Sequence, residues 1–229
     1  MSKAPTNLST SPSSRAVIHA FLEKHAVQRH SGRGRLILAI DATASREETW
    51  DLATSLTAKM LQAAGGLPLD IQLVYYRGLN ECQASPWVSD ARTLTGLMKK
   101  VRCEAGETQI DRVLIHTRKE DIKQKVQALA FIGDACEENP DNLAISARKL
   151  GLPVFLFLEG DNAKAAKVFA NIARLTNGAH CRFDQGSAKQ LAELLGAVAS
   201  FVVGGQQALK NMSTAGATRL LTQLKPAGQ

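Results

Sequence analysis

Asp41, Thr43 and Ser45 place three oxygen-bearing side chains at alternate positions, directly after the apolar run Leu36-Ile37-Leu38-Ala39-Ile40. An uninterrupted run of this kind predicts a strand buried on both faces, because no polar alternation marks a side that meets water. A spacing of two aims alternate side chains the same way from the end of that strand. The carboxyl end of a parallel strand is where open α/β sheets take up ligands. Hydroxyl and carboxylate oxygens suit a hard cation such as Mg²⁺, with Mn²⁺ or Ca²⁺ as substitutes. Taken singly, Asp41 also reads as an ordinary strand-end acid and Ser45 as a good helix N-cap.

Two later stretches repeat the pattern of a polar side chain at the end of an element. Glu104 to Ile110 forms a loop carrying Thr108 before a helix marked by Ile110, Val113 and Leu114. The apolar run Ala128 to Ile132 ends in Gly133-Asp134. Each has a structural reading of its own, Thr108 as a residue preceding a helix and Asp134 as a strand-end or capping acid. Glu137 and Glu138 read as a solvated face rather than as ligands.

The elements that must position these residues alternate along the chain. After the first strand, Glu47 and Glu48 put acids at a helix start, as the helix dipole favours; Trp50, Ala53, Leu56 and Met60 continue one face, and Gly65-Gly66 ends it. Leu69 to Tyr76 reads as a strand, and Gly78-Leu79-Asn80 as a hairpin turn into a partner around Glu81 to Trp87, antiparallel at the sheet edge. Asp90 caps the next helix. Helices are expected over 140–150, 161–176 and Leu191 to Val203, with strands at Pro153 to Leu158 and Ala179 to Phe183. This order implies an α/β fold, a Rossmann-like open and mostly parallel six-stranded sheet with one antiparallel edge strand and helices on both faces. Ser14 to about His30 predicts a short amphipathic helix. The Gly-x-Gly of residues 32–34 precedes the strand, the wrong place for a nucleotide-binding glycine loop.

The net charge of +7 is unevenly placed: residues 1–35 carry +5, residues 205–229 carry +3, and the stretch between them is −1. The expected organisation is a basic N-terminal arm over 1–33, partly disordered, a domain over 34–203 and a basic C-terminal arm over 204–229. Basic arms can meet nucleic acid or acidic proteins, but these lack the interleaved aromatics that stack bases. Cys82, Cys103, Cys136 and Cys181 are scattered and form no C-x-x-C pair, and the five histidines show no metal spacing, which argues against zinc. No run reaches the roughly 20 apolar residues of a membrane span. The N-terminal Met-Ser-Lys-Ala-Pro-Thr-Asn lacks a signal-like apolar stretch. A cytoplasmic protein without a membrane partner is therefore expected.

Asp41-x-Thr43-x-Ser45, Gly106-x-Thr108 and Phe131-Ile132-Gly133-Asp134 occur in an order that resembles the von Willebrand factor A (VWA) domain and its metal-ion-dependent adhesion site (MIDAS). The resemblance spans about residues 34–203 and is to the stand-alone intracellular bacterial type. It implies direct ligation of Mg²⁺ by Thr43, Ser45 and Thr108, with Asp41 and Asp134 acting mostly through water. Thr43 stands where the family more often has Ser, and Ala135 where a Gly often follows the last Asp.

The function so implied is a non-enzymatic, metal-dependent protein-interaction module, an adaptor in a cytoplasmic complex whose partner supplies an Asp or Glu to the ion. Intracellular members of the family serve multiprotein assemblies, some of them powered by chelatase-type ATPases. The alternatives are a Mg²⁺-dependent phosphoryl-transfer hydrolase and an RNA-binding scaffold acting through the arms. Against the hydrolase, Thr43 occupies the second position of an Asp-x-Asp pattern, and no His base lies near Ser45 in sequence.

Overall fold

The computed structural model describes residues 33–63, 68–184 and 187–224. These residues lie within one compact unit. The N-terminal arm apart from Arg33, its short helix and the Gly65-Gly66 stop thus lie outside the described residues, as does the side chain of Met60.

Six strands form one sheet: β1 Gly34–Asp41, β2 Leu69–Arg77, β3 Glu81–Val88, β4 Ala128–Gly133, β5 Val154–Glu159 and β6 Ala179–Phe183. Their spatial order is β3-β2-β1-β4-β5-β6. Only β3 runs antiparallel, paired to β2 at the sheet edge, while the other pairings are parallel. The helices are α1 Glu47–Ala63, α2 Ala91–Met98, α3 Ile110–Lys123, α4 Pro140–Arg148, α5 Ala163–Leu175, α6 Ala188–Lys210 and α7 Ala215–Leu221. The expected α/β class, the strand number and the antiparallel edge strand all hold.

Every residue of β1 is buried, and the two-residue period of a strand divides them between two cores. Leu36, Leu38 and Ile40 pack with Trp50, Leu94 and Leu195 on one face. Ile37 and Ala39 pack with Val113, Leu143 and Phe169 on the other. Phe131 links that second core through rings on either side, its centroid 6.1 Å from Tyr76 and 5.4 Å from Phe169. A sheet covered on both faces leaves its strand ends as the exits to solvent, and the polar residues gather there.

The stretch from 204, expected as an arm that docks through Leu209, Met212, Leu220 and Leu224, is helical in α6 and α7 and packed as far as Leu224. Helix α6 runs through the expected boundary at 203, breaking only at Gly205 (φ 62°, ψ −158°). That left-handed geometry suits a residue without Cβ. Leu209, Ala217, Leu220 and Leu224 are buried in the first core; their apolar surface has nowhere drier to go, which is why the segment folds back. Gln223 then covers the outer edge of β6, accepting from the His180 N–H (2.9 Å) and donating to the His180 carbonyl (2.8 Å). Two such bonds blunt an edge that could otherwise pair with another chain.

Candidate functional site

Chain direction brings the carboxyl ends of β1 and β4 side by side, because the two strands are parallel neighbours. Gly133 permits the close approach: a Cβ there would stand 2.9 Å from the Phe131 ring and 3.6 Å from the Asp41 Cβ. Asp41 itself is wholly buried. Its Oδ1 accepts from the Thr43 N–H (2.7 Å) and its Oδ2 from the Tyr76 hydroxyl (3.0 Å). Burial raises the Asp41 pKa, the bonds from Thr43 and Tyr76 oppose that rise, and the nearby Asp134 adds to it. The backbone then turns through a short 3₁₀ segment, Ala44–Arg46, with Thr43 extended at its start. This sets the Thr43 and Ser45 hydroxyls 3.2 Å apart.

Thr108 is carried by a loop that two glycines allow to close. Gly78 in the β2–β3 turn has φ +56°, and a Cβ on Gly106 would lie 2.0 Å from the Gly78 carbonyl oxygen. With no side chain in the way, the Glu107 N–H donates to that carbonyl (3.2 Å) and the Glu104 N–H to the Ala42 carbonyl (3.0 Å). Gln109 adds a side-chain bond to the Arg77 carbonyl (3.0 Å). The loop is therefore pinned to both the β1 exit and the hairpin.

Glu137 and Glu138 complete that pinning from the β4–α4 side. The Thr108 N–H donates to a Glu137 carboxylate oxygen (3.1 Å), and the Glu137 N–H donates to the Thr108 hydroxyl (3.1 Å). Glu138 accepts from the Ile110 and Asp111 N–H groups (2.5 and 2.9 Å). These are among the first, otherwise unpaired amides of α3. The expectation of a solvated face is thus corrected for Glu138, which is half-buried at a helix start; its pKa is raised by burial, against the bonds from Asp111 and Ile110.

The five residues singled out in the sequence do converge. Thr43, Ser45, Thr108 and Asp134 line one cavity of about 400 Å³, together with Glu137 and Asn162, and Asp41 lies against its wall through Thr43. Asp134 Oδ1 is buried without a hydrogen-bond partner among the described residues. A buried oxygen without a partner, on a residue that lines a space walled by hydroxyls, is open to a cation or a water. The described residues gather no cluster of three His, Cys, Asp or Glu side chains, so an ion here would depend on the hydroxyls. No histidine lines the cavity.

Arg46 and Glu159 were not among the residues singled out. Arg46 is 1% exposed and forms an ion pair with Glu159 at the end of β5. The Thr49 hydroxyl donates to the same carboxylate (3.2 Å), while Arg46 Nε has no partner among the described residues. Burial lowers the Arg46 pKa, and the charges of Asp134 and then Asp41 oppose that. A second cavity, about 300 Å³, is lined by Arg46, Thr49 and Glu159 and shares Ser45, Asp134 and Asn162 with the first. The signal was present in the sequence: Glu159 follows its apolar run as Asp134 follows β4.

No family model and no curated protein matches the sequence. Solved structures do. An aerotolerance-related membrane protein from Bacteroides fragilis aligns at 16% identity and a TM-score of 0.54 over 70% of this chain and 96% of its own. The SpRpn10 VWA domain aligns at 11% identity and a TM-score of 0.56 over 70% of this chain and 94% of its own. The pilus adhesin SpaC from Lactobacillus rhamnosus GG reaches a TM-score of 0.59 at 11% identity over 77% of this chain, which spans 31% of the adhesin. Together with the sheet order and the antiparallel edge strand, these likenesses establish that the chain has the VWA fold.

Proposed function

We propose that this chain is a non-catalytic protein-interaction module in which a divalent cation, Mg²⁺ by the hardness of its donors, sits among Thr43, Ser45, Thr108 and Asp134 and receives a carboxylate from a partner protein. The observation that carries the reading is the convergence of Thr43, Ser45, Thr108 and Asp134 on one cavity, with the Asp134 Oδ1 left without a hydrogen-bond partner among the described residues. Asp41 would act from behind, since both of its oxygens are already engaged. When bound, the cation supplies a Lewis-acidic position that neutral hydroxyls leave undercompensated, and an acidic side chain fills it.

The chain's own residues prepare that position. The glycine contact of Gly78 and Gly106 and the reciprocal Thr108–Glu137 bonds fix the Thr108 hydroxyl relative to β4. A site held on two strand ends and a loop pinned to the β2–β3 turn is preorganised, so little ordering remains to oppose binding. Binding modules of the adaptor kind, including those in ATPase-driven assemblies, fit this arrangement. No described helix is long and apolar enough to cross a membrane.

Calorimetric titration of Mg²⁺ or Mn²⁺ into the chain tests the first half of the reading. Binding should be present in wild type and lost in Thr108→Ala and Asp134→Ala. Affinity capture in Mg²⁺ and in EDTA tests the second half. Partners retained equally in both buffers would remove the metal from the function.

A further inference from the structure

Divalent-cation sites at strand ends collect carboxylates, and carboxylates brought together without an ion repel one another. Asp41 and Asp134 face that problem, and Asp41 is wholly buried. The chain places a fixed cation next to them. Arg46 follows Ser45 directly, is 1% exposed, and lines the cavity that shares Ser45 and Asp134 with the proposed ion position. Its guanidinium is anchored by Glu159, itself held by the Thr49 hydroxyl. The anchor leaves Nε without a partner, so the guanidinium is not saturated by its own salt bridge.

We infer that Arg46 is a resident counter-cation of this site, balancing Asp41 and Asp134 when no divalent ion is bound and lowering the affinity for the ion by its standing positive charge. The inference rests on the metal-dependent reading above. The domain stays folded without metal because the carboxylates are already compensated. An incoming ion meets a positive charge that Glu159 prevents from swinging away, so the ion is held weakly until a partner's carboxylate joins it. Ion and acidic partner then bind cooperatively, each raising the affinity for the other. Arg46 is a positioning and charge-setting residue here, not a ligand.

Two measurements on the full chain test this. In EDTA, Asp134→Asn should lower the melting temperature of wild type, where it removes a negative charge that Arg46 balances. It should leave unchanged or raise that of Arg46→Met/Glu159→Gln, where only the repulsion from Asp41 is relieved. Equal shifts in the two backgrounds would overturn the inference. In titrations with Mg²⁺ alone, Arg46→Met should tighten binding about tenfold or more, as expected for removing a unit charge near a divalent ion at intermediate dielectric. Because Arg46→Met leaves Glu159 buried without its partner, the double variant carries the titration if the single one is not folded, and tightening in the same direction is expected. Unchanged Mg²⁺ affinity in a folded variant would overturn the inference as well. Absence of Mg²⁺ binding in every variant, with the coupling in EDTA intact, would instead remove the proposed metal function and leave the charge-balancing role of Arg46 standing.

Discussion

Two buried arginines flank β1, one at each end, and their surroundings differ in kind. At the amino end Arg35 is 6% exposed, donates to the Gln124 carbonyl (2.6 Å), lies 3.8 Å over the Trp87 ring and faces Glu120 at 3.7 Å. Glu120 in turn accepts from the Trp87 indole (3.0 Å) and from Lys123 (2.6 Å). At the carboxyl end Arg46 has Glu159, an unpartnered Nε, and two further carboxylates within electrostatic reach. Burial lowers the pKa of both guanidinium groups, so desolvation is common to them and compensation is what differs. The amino end spends its polar groups on each other, whereas the carboxyl end keeps oxygens and a nitrogen in reserve. Unsatisfied buried polar atoms are rare in folded proteins; among the described residues Asp134 Oδ1 and Arg46 Nε are two of them at this end, while Thr54 Oγ1 and His180 Nε2 lie elsewhere.

The largest effect follows from the thinner compensation of Arg46. Glu159→Leu should cost about 3–5 kcal/mol of unfolding free energy, since it strands a buried guanidinium. Arg35→Met should cost only about 1–3 kcal/mol, because Glu120 retains Lys123 and Trp87 while one hydrogen bond and one ring contact are lost. Denaturant titration of both variants in EDTA measures the difference. The reverse order would break the comparison between the two ends.

Adding metal sharpens it. At a Mg²⁺ concentration 100-fold above its dissociation constant, wild type should gain about 2.7 kcal/mol of stability. Ser45→Ala should lose that gain while barely changing stability in EDTA, as Ser45 is exposed. Arg35→Met should keep the gain, since it alters the opposite end of the strand. Equal Mg²⁺ responses in Ser45→Ala and wild type would place the ion elsewhere.

The sheet and the oxygen donors were legible in the sequence for one reason. Buried parallel strands announce themselves as apolar runs, and whatever ends such a run stands at the sheet's edge. Asp41 and Asp134 were read that way, whereas Thr108, whose place before a helix has an ordinary structural reading, was singled out by the family resemblance. Glu159 obeys the same rule, yet an acid after Leu158 has no spacing partner in sequence, and its pairing with Arg46 appears only when β5 is placed two strands from β1. Glu138 was misread because helix capping from another loop, 27 residues away from Asp111, leaves no local trace. The helices of the docked end were not legible because Leu209, Leu220 and Leu224 are too sparse to show a period; tertiary burial, not amphipathic pattern, decides their place.

Tyr76 tests how far the reserve at the carboxyl end depends on the hydroxyl that holds Asp41 from behind. Its hydroxyl is bonded to Asp41 Oδ2, and burial followed by the charge of Asp41 holds its pKa well above the ordinary value, so it stays a donor throughout the working range. Tyr76→Phe should cost about 1.5 kcal/mol, the low end for a hydrogen bond to a charged acceptor. It should also alter Mg²⁺ affinity, by freeing Asp41 Oδ2. A stability loss without any change in metal titration would make Asp41 a structural acid alone.

The smallest effect is a pH dependence confined to the amino end. His116 on α3 faces Gln72, its Nε2 lying 2.9 Å from the Gln72 Oε1. Burial lowers its pKa; Glu120 opposes that, and Lys123 and Lys119 add to it. The folded chain therefore holds the His116 proton less tightly than the unfolded chain, whose imidazole titrates near about 6.5. As pH falls through that value toward the lower folded pKa, the unfolded chain carries more protons, and stability declines. His180 contributes in the same sense, its pKa lowered by burial, with Arg182 and Arg219 adding to it. His116→Gln keeps a hydrogen-bonding group for Gln72 while removing the titration. It should therefore flatten the stability profile between neutral pH and about 5 without erasing the His180 share. Melting curves recorded across that window, in EDTA so that the carboxyl end stays constant in metal, measure it. A profile as steep in His116→Gln as in wild type would assign the slope to groups other than His116.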